Sequence, residues 1–170
     1  MKAIVVYESL WGNTAAVARA VAEGIGPGAA ALSTAEATDA EVAGAGLVVA
    51  GAPILGFNLP TEQMRTSIAS DRRHAGNPPD LTHPSMRDWL GGLPKGSAAC
   101  AAFETRIRWS PGSSAKRIAE GLEAAGYRRV AEPERFIVAG KYGPLKDGEI
   151  ERARQWGAAL AEAVKAAAAE

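Results

Sequence analysis

The sequence predicts an α/β protein, a doubly wound parallel sheet of five strands with helices on both faces. Short apolar runs alternate five times with segments whose apolar residues recur at helical spacing. The runs are continuous rather than alternating with polar residues, which is typical of parallel strands covered on both faces. The chain has 170 residues, of which 47% are hydrophobic. We therefore interpret residues 1–170 as one domain with an ample core.

The first half of the chain begins with a predicted strand at residues 2–7, which are rich in β-branched side chains. A polar turn follows, and apolar residues then recur over residues 17–25 as on one buried face of a helix. The alanine-rich residues 29–32 predict a second strand. Residues 39–43 predict a short helix, and residues 46–52 predict a third strand that Pro53 ends.

The second half predicts two further strands and two helices. Small residues at 97–103 favour a strand where helices pack closely. Ser110 or Ser113 can cap the helix that follows, and residues 135–139 predict the last strand. Asp147 can cap the final helix, whose apolar face starts at Ile150.

Residues 61–96 interrupt this alternation. The segment contains four prolines and two short predicted helices, at 61–69 and 85–91. We interpret it as an insertion or long lid-like connection between the third and fourth strands. Both histidines of the chain, His74 and His83, fall in it and are expected to be solvated.

Composition excludes several classes of protein. Lysine plus arginine equals aspartate plus glutamate at 19 each, which disfavours a nucleic-acid binder. Cys100 is the only cysteine, so disulfides and cysteine-rich metal sites are excluded, and with two histidines a zinc enzyme is not expected. No apolar run reaches the ~18 residues of a membrane span, and the N-terminal run is too short for a secretory signal. We expect a cytoplasmic protein.

The loop after the first strand has the composition of a phosphate site. Its residues are Ser9, Leu10, Trp11, Gly12, Asn13 and Thr14. The loop opens into a helix, whose first N–H groups are unpaired and lie at the positive end of its dipole. Hydroxyl and amide donors, a glycine and the absence of lysine suit a phosphate held by neutral groups. The alternative is an ordinary helix start capped by Asn13 or Thr14.

The sequence motifs of other well-known functional loops are absent. The chain lacks GxxxxGK[ST] of nucleoside-triphosphate loops and GxGxxG of dinucleotide folds after the first strand. It also lacks GxSxG of esterase elbows. Only Glu8 stands where receiver domains need an acidic pair.

Eight positions fit one strand–loop–helix fingerprint. They are Val5, Val6, Tyr7, Ser9, Gly12, Thr14, Ala18 and Val21. In this respect the chain resembles the flavodoxins. The resemblance implies strand order 2-1-3-4-5 and flavin mononucleotide (FMN) as cofactor, with the phosphate wrapped by the loop described above. Trp11 departs from the pattern, because many flavodoxins have a threonine there.

The resemblance also implies two loops around the flavin ring. The first comprises Pro53, Ile54, Leu55, Gly56 and Phe57, and the second includes Glu104, Thr105, Arg106 and Trp109. Leu55 or Phe57 would cover one face where flavodoxins often have tryptophan, although Phe57 could equally plug the core. Trp109 would stack on the ring if its loop folds back, and Thr105 would reach the ring edge.

Arg106 and Arg108 in the second loop suggest a departure in redox behaviour. A cation near the flavin favours the anionic reduced form, which predicts a less negative second reduction potential than that of an acidic flavodoxin. Arg106→Ala should then lower the potential. The alternative is a pair of surface charges. The loop at residues 141–145 is expected to lie away from the ring.

Three functions remain open from the sequence. The first is FMN-dependent electron transfer between a reductase and an acceptor enzyme. The second is an FMN-dependent oxidoreductase acting on a quinone or porphyrinogen-type molecule, with residues 61–96 forming a substrate pocket or dimer contact. The third is a flavin-free binding module of the same fold. The redox partner, the substrate and the oligomeric state are not identified.

Overall fold

A parallel sheet forms the centre of the molecule in the computed structural model, which describes residues 1–169. The strands are β1 (Ala3–Tyr7), β2 (Ala29–Ser33), β3 (Leu47–Pro53), β4 (Ala99–Ile107), β5 (Arg128–Arg129) and β6 (Glu134–Val138). Their order is β2-β1-β3-β4, with β5 and β6 end to end along the free edge of β4. All pairs are parallel. The predicted order 2-1-3-4-5 is therefore confirmed, with the fifth position filled by two short strands.

Helices cover both faces of this sheet. They are α1 (Asn13–Ile25), α2 (Asp39–Ala43), α3 (Glu62–Ser70), α4 (Met86–Gly91), α5 (Ser114–Ala124) and α6 (Glu149–Ala168), with a 3-10 turn at Arg72–His74. Helices α1 and α6 pack together on one face, and α2, α4 and α5 contribute to the core on the other. None of the helices within residues 1–169 combines the length and apolar character that crossing a membrane requires.

The first strand illustrates why the strands are apolar throughout. Ile4 and Val6 belong to the core under α5, whereas Ala3 and Val5 belong to the core under α1. Successive side chains of a strand point to opposite faces, so both sets must be apolar when both faces are covered.

The fourth strand is longer than predicted. It continues through Glu104, Thr105 and Arg106 to Ile107, residues that the sequence assigned to a loop. Hydrophobicity does not predict this end of the strand, because its side chains are polar although they are buried. Each of the three polar side chains finds a hydrogen-bond partner, so burying them in the strand leaves none unsatisfied.

The edge beside β4 is interrupted. Cys100 pairs with Arg129, but Phe103 pairs with Glu134, so the edge chain contains two more residues than β4 over this stretch. The sequence predicted β6, as residues 135–139, but not β5. A two-residue strand of exposed arginines carries no apolar signal.

Side chains of α6 cover the outer edge of β6. The Ile137 N–H donates to Glu149 Oε2 at 2.6 Å, and Arg152 donates to the Arg135 carbonyl. These contacts occupy backbone groups that an edge strand otherwise presents to a second sheet. The helix starts at Glu149 after Gly148, whose φ is 85°, so the predicted cap at Asp147 is wrong.

Residues 61–96, interpreted above as an insertion, pack against the rest of the fold rather than extending into solvent. Trp89 of α4 donates to the Ala37 carbonyl at 3.0 Å. His74 and His83 are only 4% and 6% exposed, so the prediction of solvated histidines is wrong. Proline content indicated an irregular segment, but it does not report which irregular segments are buried.

Candidate functional site

A half-open cleft lies at the carboxyl ends of β1, β3 and β4, with a cavity volume of about 130 Å³. It is lined by Ser9, Leu10, Trp11, Asn13, Thr14, Pro53, Ile54, Leu55, Thr105, Arg106, Ile107, Ser110, Val138 and Lys141. Ten of the fifteen residues singled out from the sequence are in this lining. The other five, which are Gly12, Gly56, Phe57, Glu104 and Trp109, are not.

Four further lining residues were not singled out from the sequence. They are Ile107, Ser110, Val138 and Lys141. The loop at 141–145, expected to lie away from a flavin ring, contributes Lys141 to the cleft lining. That loop follows β6, and the Asn13 side chain donates to the Tyr142 carbonyl at 3.0 Å, which holds the loop against the start of α1.

The β1–α1 loop, which we define as residues 9–14, folds around the Ser9 hydroxyl. Ser9 Oγ accepts the Gly12 N–H at 3.1 Å and the Ala15 N–H at 3.2 Å. Gly12 has φ 91°, a conformation that glycine adopts without strain, and it precedes α1 without a side-chain cap. The alternative reading of Asn13 or Thr14 as the cap is therefore wrong.

Four amides of this loop have no hydrogen-bond acceptor within residues 1–169. They are the N–H groups of Leu10, Trp11, Asn13 and Thr14. All four residues line the cleft. Unpaired amides at the positive end of a helix dipole make this part of the cleft an anion-binding site in chemical character.

Thr14 and Thr105 connect two walls of the cleft. Their hydroxyls lie 2.8 Å apart, and both residues are buried. The contact joins the start of α1 to β4. It therefore fixes the β1–α1 loop relative to the other end of the cleft.

A segment of the insertion crosses the β1–α1 loop and bonds to it at three points. We call residues 74–83 the strap. The contacts are the Ser9 N–H to His83 Nε2 at 3.0 Å, the Asp80 N–H to the Leu10 carbonyl at 2.8 Å, and Trp11 Nε1 to the Asn77 carbonyl at 2.9 Å. Consecutive loop residues thus meet every third strap residue. The insertion supports the loop, a role that the sequence did not predict.

An aromatic cluster extends the contact between strap and loop. The centroid of the Trp11 ring lies 5.0 Å from that of the Tyr142 ring and 5.9 Å from that of the His74 ring. His74 Nδ1 and the Tyr142 hydroxyl are hydrogen bonded. Trp11, the departure from the usual motif, therefore joins three segments around the loop.

Glu8 and Arg65 form a buried pair next to the loop. Glu8 Oε1 accepts the Met86 N–H at 2.9 Å, whereas Glu8 Oε2 and Arg65 Nε are 3.5 Å apart and neither has a hydrogen-bond partner. Burial raises the pKa of Glu8 to about 7, and the Met86 N–H and the Arg65 charge offset part of that increase.

The loop after β3 makes a tight turn at the mouth of the cleft. Leu55 and Asn58 exchange backbone hydrogen bonds at 2.9 and 3.3 Å. The two residues between them, Gly56 and Phe57, have φ values of 56° and 70°. The Phe57 ring is 66% exposed, so the core-plug interpretation is wrong. Within the turn itself, Leu55 lines the cleft, whereas Gly56 and Phe57 do not.

Of the predicted site residues at and after the end of β4, some line the cleft and others do not. The Glu104 carboxylate accepts from Ser113 Oγ at 3.1 Å and from the Ser114 N–H at 3.0 Å, so it caps α5 instead of lining the cleft. Trp109 is 80% exposed and lies outside the cleft. Thr105 and Arg106 do line it.

The Arg106 guanidinium supports the segment that follows β4. It donates to the Gly112 carbonyl at 3.0 Å and lies 3.6 Å from Glu104 Oε1. The side chain is nearly buried, so the interpretation of Arg106 as a surface charge is wrong. Lys141 is the exposed cation of the cleft lining.

The cleft lacks the usual acid–base groups. Within residues 1–169, its lining includes no carboxylate, imidazole, thiol or phenol. The same part of the chain holds no cluster of three metal-ligating side chains. The chemistry of the cleft is therefore that of amide and hydroxyl donors beside apolar walls.

No family model and no curated protein matches the sequence. Solved structures do match its fold. A flavodoxin from the domain Archaea is similar over 97% of this chain and 99% of its own, with a TM-score of 0.70 at 24% identity. Flavodoxin 2 from Bacillus cereus is similar over 95% and 99%, with a TM-score of 0.65 at 16% identity.

A longer protein contains the same fold. The rubredoxin oxygen:oxidoreductase from Desulfovibrio gigas is similar over 99% of this chain, with a TM-score of 0.66 at 22% identity, but the match spans only 37% of that protein. Together these likenesses show that the chain has the flavodoxin-like fold.

Proposed function

We propose that this chain binds FMN in the cleft and serves as an electron-transfer protein. The observation that carries the proposal is the set of four unpaired amides in the β1–α1 loop, at the start of a helix and in residues that line the cleft. Such a site holds a phosphate without a cationic side chain. The flavodoxins with the same fold, and the fingerprint in residues 5–21, support the choice of FMN.

The residues present fit a flavin phosphate at one end of the cleft and a planar ring at the other. Apolar Ile54, Leu55 and Ile107 form the walls, and Thr105 is available to a ring edge. The volume of about 130 Å³ is well below the roughly 300 Å³ at which drug-sized ligand sites begin. A ligand as large as FMN would therefore leave part of its surface exposed, which gives electrons a short path to a partner.

The absence of acid–base groups from the cleft lining, within residues 1–169, fits an electron carrier. FMN supplies the redox chemistry in such proteins, and the protein determines its position and access. Here the β1–α1 loop would hold the phosphate, and Leu55 would shield one side of the ring. Lys141 and Arg106 would place positive charge near the cleft.

A visible absorbance spectrum tests the proposal. The purified protein is measured before and after incubation with FMN and desalting. We expect a retained flavin spectrum with one FMN per chain. A colourless protein that does not retain FMN would contradict both flavin-dependent functions.

Asn13→Asp tests the phosphate end of the cleft. Asn13 is the first residue of α1, where a negative charge is favourable for the helix but repels a phosphate. The aspartate also loses the hydrogen bond to the Tyr142 carbonyl, so we expect weaker FMN retention together with a modest loss of thermal stability. Asn58→Asp is the matched control, because its side-chain oxygen still accepts the Leu59 N–H and it lies outside the cleft lining. Equal FMN retention by both variants would argue against the assigned phosphate site.

An adjoining groove favours a second candidate, reduction of a small apolar acceptor. Leu55 separates the cleft from an open groove whose other residues include Thr61, Met64 and Ile68. A quinone in this groove would lie beside the ring end of the cleft. Turnover of a quinone with a pyridine nucleotide alone, lost in Met64→Lys, would favour this function. A marked ionic-strength dependence of reduction by a reductase would favour the carrier.

A further inference from the structure

His83 makes contacts on three sides in the buried strap. Its Nε2 accepts the Ser9 N–H at 3.0 Å, and its carbonyl accepts from Arg65 at 2.5 Å. Its Nδ1 lies 3.9 Å from Asp80 Oδ1. Arg65 is paired in turn with Glu8, and Glu36 is the other charged group that acts on the imidazole. The ring is thus in place to hold the first residue of the β1–α1 loop.

We propose that His83 is a positioning residue for anion binding, because its unprotonated Nε2 holds the Ser9 amide and through it the β1–α1 loop. The inference rests on the proposed function for the identity of the anion, the phosphate of FMN. It assigns the insertion a part in that function that the fingerprint residues do not include.

The contact fixes the protonation state of the ring. A histidine nitrogen accepts a hydrogen bond only when it carries no proton, so His83 must be neutral with its proton on Nδ1. In the imidazolium both nitrogens are donors. Nε2–H would then oppose the Ser9 N–H, and the loop would lose its anchor at its first residue.

The loss would spread through Ser9. The Ser9 hydroxyl accepts from the Gly12 and Ala15 N–H groups, so a shift of Ser9 changes the turn and the start of α1. The amides of Leu10 and Trp11 lie between Ser9 and Gly12 and belong to the unpaired set. Protonation of His83 therefore disorganises the donors that face the anion.

The charge of a protonated His83 would favour anion binding, which opposes the effect of the lost hydrogen bond. An imidazolium adds a positive charge near the loop, which attracts a phosphate. Burial lowers the pKa of His83 below its ordinary value of 6.5, with Arg65 acting in the same direction and Asp80 and Glu36 against it. The neutral ring thus prevails at neutral pH, and its anchoring role is lost as the pH falls through this lowered pKa.

FMN dissociation constants between pH 8 and 5 test the inference in the wild type, His83→Gln and His83→Leu. A glutamine oxygen accepts a hydrogen bond at any of these pH values. We expect wild-type affinity to fall relative to that of His83→Gln as the pH drops through the pKa of His83, by up to about tenfold, the size of one lost hydrogen bond. His83→Leu should bind weakly throughout. Titration of the FMN phosphate itself is common to all variants and cancels in their ratios.

His74→Gln is the matched control, since His74 is also buried in the strap but contacts Tyr142 rather than Ser9. It should keep the wild-type pH profile. Profiles of the wild type and His83→Gln that stay parallel through the His83 pKa, which nuclear magnetic resonance locates, would overturn the inference, as would a wild-type affinity that rises on acidification relative to His83→Gln.

Nuclear magnetic resonance of the FMN-free protein separates this inference from the proposed function. The Ser9 amide shift should titrate together with the His83 ring nitrogens in the wild type and stay constant in His83→Gln. If no variant binds FMN, the proposed function fails while this coupling still decides the role of His83. A Ser9 amide that does not follow His83 would refute the positioning role even if FMN binds.

Discussion

Phe57 has an unusual backbone conformation for a large side chain. Its φ of 70° lies in the left-handed region, and its ring is mostly exposed at the mouth of the cleft. A non-glycine residue in this region costs roughly 1–2 kcal/mol. Exposed and strained residues of this kind occur often at functional sites.

We expect Phe57→Gly to unfold at higher denaturant concentration than Phe57→Ala, by about 1 kcal/mol in the free energy of unfolding. Both variants lack the ring, and only glycine relieves the strained φ. Urea denaturation measures the difference. Equal stability of the two variants would mean that the turn relaxes without cost.

Glu8 makes stability depend on pH. Its pKa is about 7 in the folded protein, against 4.5 as the ordinary value. Between these values the folded protein binds more protons than the unfolded chain, so the free energy of unfolding falls as pH rises from 4.5 to about 7.

Replacing Glu8 by glutamine removes this dependence. We expect the stability of the wild type relative to Glu8→Gln to fall by up to about 3 kcal/mol between pH 4.5 and 7. The measurement is urea denaturation across this range. Glu120→Gln, at an exposed position of α5, is the control and should give no such trend. A constant difference between the wild type and Glu8→Gln would contradict the raised pKa of this buried carboxyl.

At the scale of helices and strands, α1 and α6 approach so closely that glycine is required between them. A Cβ on Gly157 would lie 2.2 Å from the Val21 carbonyl oxygen, and one on Gly24 would lie 1.9 Å from the Arg154 carbonyl oxygen. Both contacts involve backbone, which a rotamer change cannot relieve. The close approach involves the last turns of α1 and the first half of α6.

We expect Gly157→Ala to destabilise the protein by roughly 2–3 kcal/mol, because the helices must move apart. Gly121→Ala is the comparison, since its Cβ would lie 3.3 Å from a flexible Leu90 side chain. There the helix propensity of alanine should give a neutral or stabilising change of up to about 1 kcal/mol. Thermal denaturation compares the two, and similar losses would argue against the backbone contact.

Periodicity predicted these elements unequally well. It located α1 and β1 because one continuous apolar pattern marks each. It ended β4 too early, at 103, since Glu104 and Arg106 are polar. Their burial depends on partners such as Ser114 and Gly112, which are close in space only after folding. Propensity within a short window carries no information about such partners.

At the scale of the whole molecule, the site is built from segments that are far apart in the sequence, the β1–α1 loop and the strap. Residues 9–14 and the strap are at least sixty positions apart, yet three hydrogen bonds join them. The fingerprint revealed the loop because its own residues carry the signal. The contacts of the strap could not be predicted from the sequence. Two of them use backbone groups, which every residue has, and the third uses a single histidine with no motif around it.

Ligand binding should therefore stabilise the whole fold. A ligand that binds only the folded state at one hundred times its dissociation constant adds about 2.7 kcal/mol. We expect FMN to raise the thermal midpoint more than riboflavin at equal concentration, since riboflavin has no phosphate for the loop amides. Scanning calorimetry provides the measurement, with Asn13→Asp as the variant in which the advantage of FMN should shrink. Equal shifts by both flavins would place the binding energy in the ring alone.

The four tryptophans occupy four different environments. Trp11 lines the cleft, Trp89 bonds between α4 and the segment before α2, Trp109 is exposed, and Trp156 packs against Phe103 and Phe136 in the core. The chain thus carries built-in optical probes of its own parts. In a Trp109→Phe variant, the remaining fluorescence would come from Trp11, Trp89 and Trp156. A flavin bound in the cleft would quench Trp11 most strongly, because Trp11 lines the cleft.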